Sequence, residues 1–201
     1  MTRIQSIAVV GAGTMGLGIA QVCATAGFKT ILFDINATQL QLAVDTISNN
    51  LSRLVVKNKL SSTLRDKALA SITVTHELAE VRADMIIEAA VEKLHIKQEL
   101  FAQLEKINGH KSILATNTSS ISVTQIAEKL IDKSRCIGLH FFNPADRMML
   151  VEIISGAKTD PTLVDALNEF SALIGKTPVL AKDSPGFIVN RVARHFYVES
   201  L

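Results

Sequence analysis

The stretch from Ile7 to Gly16, IAVVGAGTMG, constrains the fold of this chain more than any other part of the sequence. It begins with an uninterrupted apolar run, residues 7–10, which continues directly into glycines at positions 11, 13 and 16. A helix-compatible segment, LGIAQVCATA, follows the last glycine. This succession predicts a buried strand, a tight turn and a helix that packs back on the strand.

Each glycine has a physical function if a dinucleotide binds at this turn. Gly11 permits the tight turn, Gly13 lets the backbone approach a pyrophosphate, and Gly16 lets the helix pack against the strand. The phosphates would lie at the helix N-terminus, where free N–H groups and the positive end of the helix dipole face them. The spacing therefore predicts a dinucleotide-binding fingerprint.

A second strand is predicted at residues 29–33, KTILF, and it ends at Asp34. The fingerprint places an acid roughly 20 residues beyond the glycines, where it binds the ribose hydroxyls. A carboxylate at that position repels a 2′-phosphate, so the sequence predicts NAD rather than NADP. The alternative is that Asp34 is a surface residue that merely ends the strand.

Predicted strands alternate with predicted helices from residue 7 to residue 140. This alternation indicates an α/β fold with a Rossmann-type doubly wound, mostly parallel sheet and helices on both faces. In such folds ligands bind beyond the carboxyl ends of the strands. The predicted strand ends fall at Gly11, Asp34, Glu88 to Glu92, Asn117 to Ser120, and His140 to Asn143.

One of these strand ends carries a histidine, His140, in the run GLHFFNP. The next apolar run, MMLVEII, has Glu152 in its middle, where a carboxylate is costly unless it is paired. If the chain turns back after Pro144, Glu152 comes beside His140. A carboxylate that orients an imidazole leaves the other ring nitrogen to take the hydroxyl proton of an alcohol as hydride leaves its carbon. By spacing alone, the alternative is a structural histidine.

Other polar residues have structural interpretations by spacing alone. Ser119 fits a cap or turn position, and Lys97 fits a solvated helix face. Cys23 and Cys136 lie in apolar contexts without CxxC spacing, which predicts buried, reduced thiols and neither a disulfide nor a metal site. The remaining histidines are assigned to structural positions: His76, His95, His110 and His195.

Composition and charge exclude several classes of function. The chain has 201 residues, of which 48% are hydrophobic, enough for one sizeable core and part of a second domain. A formal charge of +2 without a basic run gives no footprint for nucleic acid, and no apolar run reaches membrane-spanning length. The first strand begins soon after Met1, which leaves no room for a targeting segment, so we expect a cytoplasmic protein.

Several ordered motifs together resemble the L-3-hydroxyacyl-CoA dehydrogenase family, over nearly the whole chain. GLHFFNP followed by the glutamate is much more specific than the glycine fingerprint. The other motifs are GAGTMGLGIA at 11–20, EAAVEKLHIK at 88–97, ATNTSS at 115–120 and KDSPGFIVNR at 182–191. The chain is similar to 3-hydroxybutyryl-CoA and 3-hydroxyadipyl-CoA dehydrogenases. The resemblance implies reversible, NAD-dependent oxidation of an L-3-hydroxyacyl-CoA to the 3-ketoacyl-CoA.

The resemblance also implies roles for individual residues. His140 matches the catalytic base of the family, and Glu152 matches the carboxylate paired with it. Ser119 and Asn190 match residues that contact the 3-oxygen region of the substrate and support catalysis. The positions that match cofactor contacts are Gly11, Gly13, Thr14, Met15, Gly16, Asp34, Glu92, Lys97, Asn117, Ser119 and Asn143. Lys97 and Ser119 thereby become candidate site residues.

The chain is expected to divide into an NAD-binding domain, residues 1–182, and the start of a second domain, residues 183–201. Asp183, Ser184 and Pro185 are typical of a helix start, and the apolar residues of 187–201 are spread around most of a helix, which favours burial by other protein. By the resemblance, family members continue into an all-helical domain that forms homodimer contacts and part of the acyl-CoA site. We therefore expect a truncated protein that is a homodimer at full length.

Two further interpretations stand beside the leading one. The first is a noncatalytic dinucleotide-binding or structural protein on the same scaffold, as in the related lambda-crystallins. The presence of both His140 and Glu152 argues against it. The second is the dehydrogenase segment of a multifunctional fatty-acid oxidation protein, against which the short distance from Met1 to the first strand argues.

Overall fold

The computed structural model describes residues 4–198, except for the side chains of residue 110 and residues 194–198. The strands are β1 Ser6–Val10, β2 Lys29–Phe33, β3 Ile72–Thr75, β4 Met85–Glu88, β5 Ile113–Thr116, β6 Cys136–Phe141, β7 Leu150–Ser155 and β8 Thr177–Lys182. The α-helices are α1 Thr14–Thr25, α2 Ala37–Val56, α3 Ser62–Ala70, α4 Leu94–Asn108, α5 Val123–Ile126, α6 Thr162–Leu173 and α7 Val189–Val198.

All of these strands form one eight-stranded sheet in the order β3-β2-β1-β4-β5-β6-β7-β8. The strands from β1 to β6 are mutually parallel, in the order of a doubly wound dinucleotide-binding sheet. Strand β7 is antiparallel to β6, and β8 is parallel to β7. The predicted Rossmann-type, mostly parallel sheet is therefore confirmed.

Helices cover both faces of the sheet. Because successive strand residues point to opposite faces, Val9 and Ile87 pack with α1, α2 and α6, whereas Ala8 and Ile86 pack with α4 and α5. Strands β4 and β5 are buried along their whole length. This double cover leaves the strand ends as the place where polar side chains can meet a ligand.

The connection from β6 to β7, residues 142–149, is held from behind by a buried lysine. Lys176 donates from Nζ to the carbonyl oxygens of Ala145 at 2.6 Å and Met148 at 2.8 Å. Burial lowers the pKa of Lys176, and the nearby Asp146 carboxylate only partly offsets this effect. The connection reverses the chain, so that β7 returns beside β6 and the register places His140 opposite Glu152.

The last helix begins later than the sequence predicted. Pro185 lies in a turn closed by a hydrogen bond from the Phe187 N–H to the Ser184 carbonyl at 3.0 Å, and α7 begins only at Val189. Asp183 accepts instead from Val123 and Thr124 at the start of α5, so the predicted helix start at residues 183–185 was wrong. Residues 199–201, and the side chains from 194 onward, lie outside the described part, and with them the predicted burial of Phe196, Tyr197, Val198 and Leu201.

Two other sequence expectations can be compared with the structure. Cys23 and Cys136 are both buried free thiols, as predicted, and burial raises the pKa of Cys23 to about 12 and that of Cys136 further. Within residues 4–198, no helix combines the length and the apolar character needed to cross a membrane.

Candidate active site

Three of the predicted strand ends, Glu88 to Glu92, Asn117 to Ser120 and His140 to Asn143, meet at an open cleft of about 350 Å³ beyond the carboxyl edge of the sheet. The cleft lies beside β1 and β4, where the order of the strands reverses direction and ligands bind in doubly wound sheets. Predicted site residues that line it are Met15, Glu92, Asn117, Ser119, His140, Asn143 and Asn190. Residues far apart in the sequence are thus brought to one place.

Two of the three glycines in the turn, Gly11 and Gly16, have no room for a side chain. Gly11 has φ +104°, and a Cβ there would lie 2.7 Å from the Ala89 carbonyl oxygen. A Cβ on Gly16 would lie 1.7 Å from the Gly11 carbonyl oxygen, whereas a Cβ on Gly13 would meet nothing within 4 Å. Helix α1 begins at the exposed Thr14 with neither a side-chain cap nor an acid in its first turn. Its free N–H groups and the open space at Gly13 fit a pyrophosphate.

Asp34 links the end of β2 to the glycine turn. Its Oδ2 accepts from the Ala12 N–H at 2.8 Å, and its Oδ1 accepts from the Asn36 N–H at 3.0 Å. A carboxylate offers about four lone-pair sites, so acceptor capacity remains for two ribose hydroxyls. The position fits the role expected of the acid in the fingerprint.

Behind the cleft lies a buried ion pair that the sequence did not predict. Lys97 and Glu88 have side chains that are 1% and 0% exposed, and Lys97 Nζ lies 2.6 Å from Glu88 Oε1. Glu88 also accepts from the Ala90 N–H and from Thr116 Oγ1, each at 2.7 Å. The interpretation of Lys97 as a solvated lysine was therefore wrong, because its helix face is turned to a buried carboxylate.

Glu92 connects this ion pair to the loop after β5. Its Oε2 lies 3.2 Å from Lys97 Nζ, and its Oε1 accepts from Thr118 Oγ1 at 2.6 Å and from the Ser119 N–H at 3.0 Å. Burial would raise the pKa of Glu92, but the Thr118 hydroxyl, Lys97 and the Ser119 N–H outweigh it and hold the pKa below its usual range. A charged Glu92 thus fixes the backbone that carries Ser119.

Two asparagines join the walls of the cleft. Asn117 Oδ1 accepts from the Phe141 N–H at 2.8 Å, which ties the loop after β5 to the end of β6. Asn190, in the first turn of α7, points Nδ2 at the Ser119 carbonyl oxygen, 3.4 Å away. Asn143 lies at the rim and is exposed.

His140 and Glu152 form a buried pair on neighbouring strands. His140 Nδ1 lies 2.7 Å from Glu152 Oε2, and the rings of Phe142 and Phe187 lie 4.6 Å and 5.8 Å from the imidazole. Burial would raise the pKa of Glu152, but the hydrogen bonds from His140 and from the Val189 and Ile188 backbone hold it below its usual range. Because Nδ1 faces a carboxylate, it carries the ring proton, and Nε2 is left as an acceptor.

Residues 6–184 match the family model described as the NAD-binding domain of 3-hydroxyacyl-CoA dehydrogenase. The chain belongs to this family. The NAD assignment made from Asp34 and the glycine turn is confirmed by this membership, and so is the resemblance given by the motifs.

Relatives of this dehydrogenase family are similar over all or nearly all of the chain. The chain is 46% identical to 3-hydroxyadipyl-CoA dehydrogenase of Escherichia coli K12 over 203 residues, which is all of this chain and 42% of that protein. It is 41% identical to 3-hydroxybutyryl-CoA dehydrogenase of Bradyrhizobium diazoefficiens, covering 94% of this chain and 65% of that protein. The chain therefore spans only part of the length of these curated relatives.

Solved structures of the family have the same fold. A crystal structure of (S)-3-hydroxybutyryl-CoA dehydrogenase from Ralstonia eutropha superposes with a TM-score of 0.95 at 40% identity, covering 98% of this chain and 70% of that one. The structure of an Escherichia coli K12 3-hydroxybutyryl-CoA dehydrogenase gives 0.97 at 44% identity, covering 98% of this chain and 42% of that one.

Glu88 was named in the sequence analysis only as a strand end, and its part in a buried ion pair was missed. The sequence contains the signal, because Glu88 ends the apolar strand MIIE, where an unpaired carboxylate is costly. The same argument identified Glu152 as a residue that needs a partner. Applied to Glu88, it would have indicated that this carboxylate needs a partner, but not that the partner is Lys97, nine residues later.

Proposed function

We propose that this chain supplies the NAD-binding and proton-transfer part of an L-3-hydroxyacyl-CoA dehydrogenase, which oxidises the 3-hydroxyl to the 3-ketone. The observation that supports the proposal most is the buried His140–Glu152 pair in the wall of a cleft beside the glycine turn. An oriented imidazole next to a nicotinamide site is the arrangement that alcohol oxidation requires.

The cofactor would accept the hydride, and residues of this chain would transfer the proton. Bound NAD supplies the hydride acceptor. His140 Nε2 takes the proton of the 3-hydroxyl, while Glu152 holds the ring through Nδ1 and stabilises the imidazolium that forms. In the reverse direction the imidazolium returns its proton to the 3-oxygen of the ketone.

Residues beside the pair would hold the reacting groups. Ser119 and Asn190 line the cleft next to each other, which supports their assignment to the 3-oxygen of the substrate. Glu92, Asn117 and Asn143 line its cofactor side. Lys97 is buried, so we propose that it acts on the cofactor site through Glu92 rather than through an exposed amine.

A noncatalytic protein on the same scaffold is the second candidate. It would bind NAD by the same glycine turn, but it would have no use for a buried carboxylate held on a histidine at the cleft. The two candidates differ in turnover and agree in cofactor binding, so one assay separates them.

The deciding assay is the loss of NADH absorbance on addition of acetoacetyl-CoA. We would run it on residues 1–201 and on the protein encoded by the complete open reading frame, with NADH binding measured on both. Turnover by the longer protein supports the dehydrogenase, and comparison with residues 1–201 shows whether further residues complete the site. NADH binding without turnover in either protein would reject the dehydrogenase in favour of a binding protein or another hydroxy acid.

Replacement of Asp34 by alanine should weaken NADH binding about 10- to 100-fold, the value of hydrogen bonds to a charged group. Binding of NADPH should fall less or improve, because the charge that repels its 2′-phosphate is removed. Fluorescence titration measures both dissociation constants. Asp34→Asn is the control, since it keeps an acceptor for the Ala12 N–H. An unchanged preference between NADH and NADPH in Asp34→Ala would contradict the assignment.

The division of the chain and its assembly belong to the same proposal. We place the NAD-binding domain at residues 1–182 and the start of a helical domain at 183–201. The exposure of Ile188 (42%) and Val192 (54%) supports a further domain that covers them. We also propose that the full-length protein is a homodimer that acts on acyl-CoA in the cytoplasm. Analytical ultracentrifugation and cell fractionation would test these two points.

A further inference from the structure

Glu152 uses both of its carboxylate oxygens, and only one of them serves the histidine. Oε2 lies 2.7 Å from His140 Nδ1. Oε1 accepts from the backbone N–H groups of Ile188 at 3.0 Å and Val189 at 2.9 Å. The side chain is fully buried, so these contacts are shielded from water. One carboxylate therefore joins the imidazole to the beginning of α7.

The two backbone donors belong to the positive end of a helix. The Val192 N–H donates to the Ile188 carbonyl, so Ile188 immediately precedes the first turn and Val189 is its first residue. The first N–H groups of a helix have no acceptor within the helix and carry the positive end of its dipole. Glu152, a residue of β7, supplies from outside the helix an acceptor for these first two donors.

These donors compete with the imidazole for the charge of the carboxylate. Hydrogen bonds to the ionised form favour that form, and they draw negative charge away from Oε2. A carboxylate with less available charge stabilises an imidazolium less. The start of α7 and the protonated ring therefore act on Glu152 in opposite senses.

We propose that the Ile188 and Val189 N–H groups are positioning groups of the His140–Glu152 pair, and that they set the pH at which His140 exchanges its proton. The inference rests on the proposed function, since it concerns the same pair. It adds an influence on this pair from the first turn of α7. The proton affinity of the base then depends on the first turn of α7 being in place.

The surroundings of the pair leave few other groups to compete with this effect. Phe142 and Phe187 contact the imidazole with uncharged rings. Glu92 is the charged residue among the described side chains that line the cleft with His140. Asp183 bonds to the start of α5, and the buried Cys136 lies at the far end of β6.

The test is Val189→Pro in the protein encoded by the complete open reading frame. Proline is well accommodated at the first position of a helix and removes only the N–H. We expect the carboxylate to hold the imidazolium more strongly, so that the acid limb of kcat/KM for oxidation moves up by roughly 0.3 to 1 pH unit. Val189→Ala, which keeps the N–H, is the matched control and should leave the limb in place. A lower rate with an unmoved limb would indicate a structural contact only and overturn the proposal.

Two further measurements keep the inference separate from folding and from the proposed function. An amide-to-ester replacement at Val189 removes the same N–H without a proline ring, and it should move the limb in the same direction. The ring resonances of His140, assigned by their loss in His140→Gln, give the titration midpoint without turnover. A titration midpoint that rises in both variants supports the proposal, whether or not acyl-CoA is turned over. Absence of turnover would reject the dehydrogenase function and leave this inference standing. An unmoved midpoint in the ester variant overturns the proposal.

Discussion

His140→Ala should lower kcat for acetoacetyl-CoA reduction by about 10²- to 10⁴-fold, the contribution of a positioned general acid or base. The variant lacks the group that is proposed to exchange the proton with the 3-oxygen. Glu152 cannot take its place, because this carboxylate is fully buried behind the imidazole and its Oε1 accepts from the start of α7. Stopped-flow measurement at saturating NADH isolates this loss from weaker binding.

The control for this prediction is a second histidine that lies elsewhere. His95→Ala changes an exposed residue of α4 and should leave kcat within a factor of two or so, as surface substitutions have small effects. NADH should bind to both variants as it does to the wild type, because the glycine turn and Asp34 are untouched. Near-normal turnover by His140→Ala would rule out His140 as the base.

Lys97→Met should lower the free energy of unfolding by about 3 kcal/mol, at the lower end of the cost of breaking a buried ion pair. The substitution leaves the Glu88 carboxylate, 0% exposed, without its counter-charge. The loss is not larger because Glu88 keeps the Ala90 N–H and the Thr116 hydroxyl as donors. Urea unfolding with linear extrapolation measures the change.

A matched control comes from an exposed pair that involves the same helix. Lys129 Nζ lies 3.6 Å from Glu99 of α4, and their side chains are 49% and 61% exposed. Lys129→Met should therefore cost about 0.5 kcal/mol or less. The double variant Lys97→Met with Glu88→Gln should recover part of the loss, since it removes the uncompensated charge. If Lys97→Met and Lys129→Met were equally mild, the buried pair would not contribute as the structure indicates.

The first βαβ unit and the His140–Glu152 pair could be predicted because their sequence signals are local. The glycine turn admits few conformations, and Asp34 follows it at a fixed interval along one βαβ unit. Glu152 could be placed beside His140, on the condition that the chain turns back after Pro144, because a carboxylate in an apolar run needs a partner. In each case a short stretch carries the constraint.

Lys97 could not be placed from the same kind of pattern. A polar helix face looks alike in the sequence whether it meets water or a buried carboxylate, and the partner, Glu88, lies on a strand. The start of α7 was misplaced for a related reason. Asp183 has the chemistry of a cap, but the helix it caps is α5, about 60 residues earlier, and α7 takes its cap from Glu152. Tertiary contacts decide both cases.

The last strand of the sheet could not be predicted from the local sequence pattern either. Strand β8, Thr177–Lys182, contains Pro178 and alternates weakly between half-buried and exposed residues, so it lacks the apolar run that marked the central strands. It forms an edge of the sheet beside β7, where one side of the strand has no ladder to complete.

Asp183 and Glu152, which accept hydrogen bonds from the starts of α5 and α7, determine where the chain can be shortened. A protein shortened to end after Lys182 would lose Asp183, and with it the acceptor for the start of α5. It would also strip Glu152 of both backbone donors, although every strand of the sheet would be intact. Anyone isolating the nucleotide-binding unit for calorimetry or NMR should therefore retain the first turn of α7. The smallest piece that keeps the His140–Glu152 pair in its native surroundings is longer than the sheet itself.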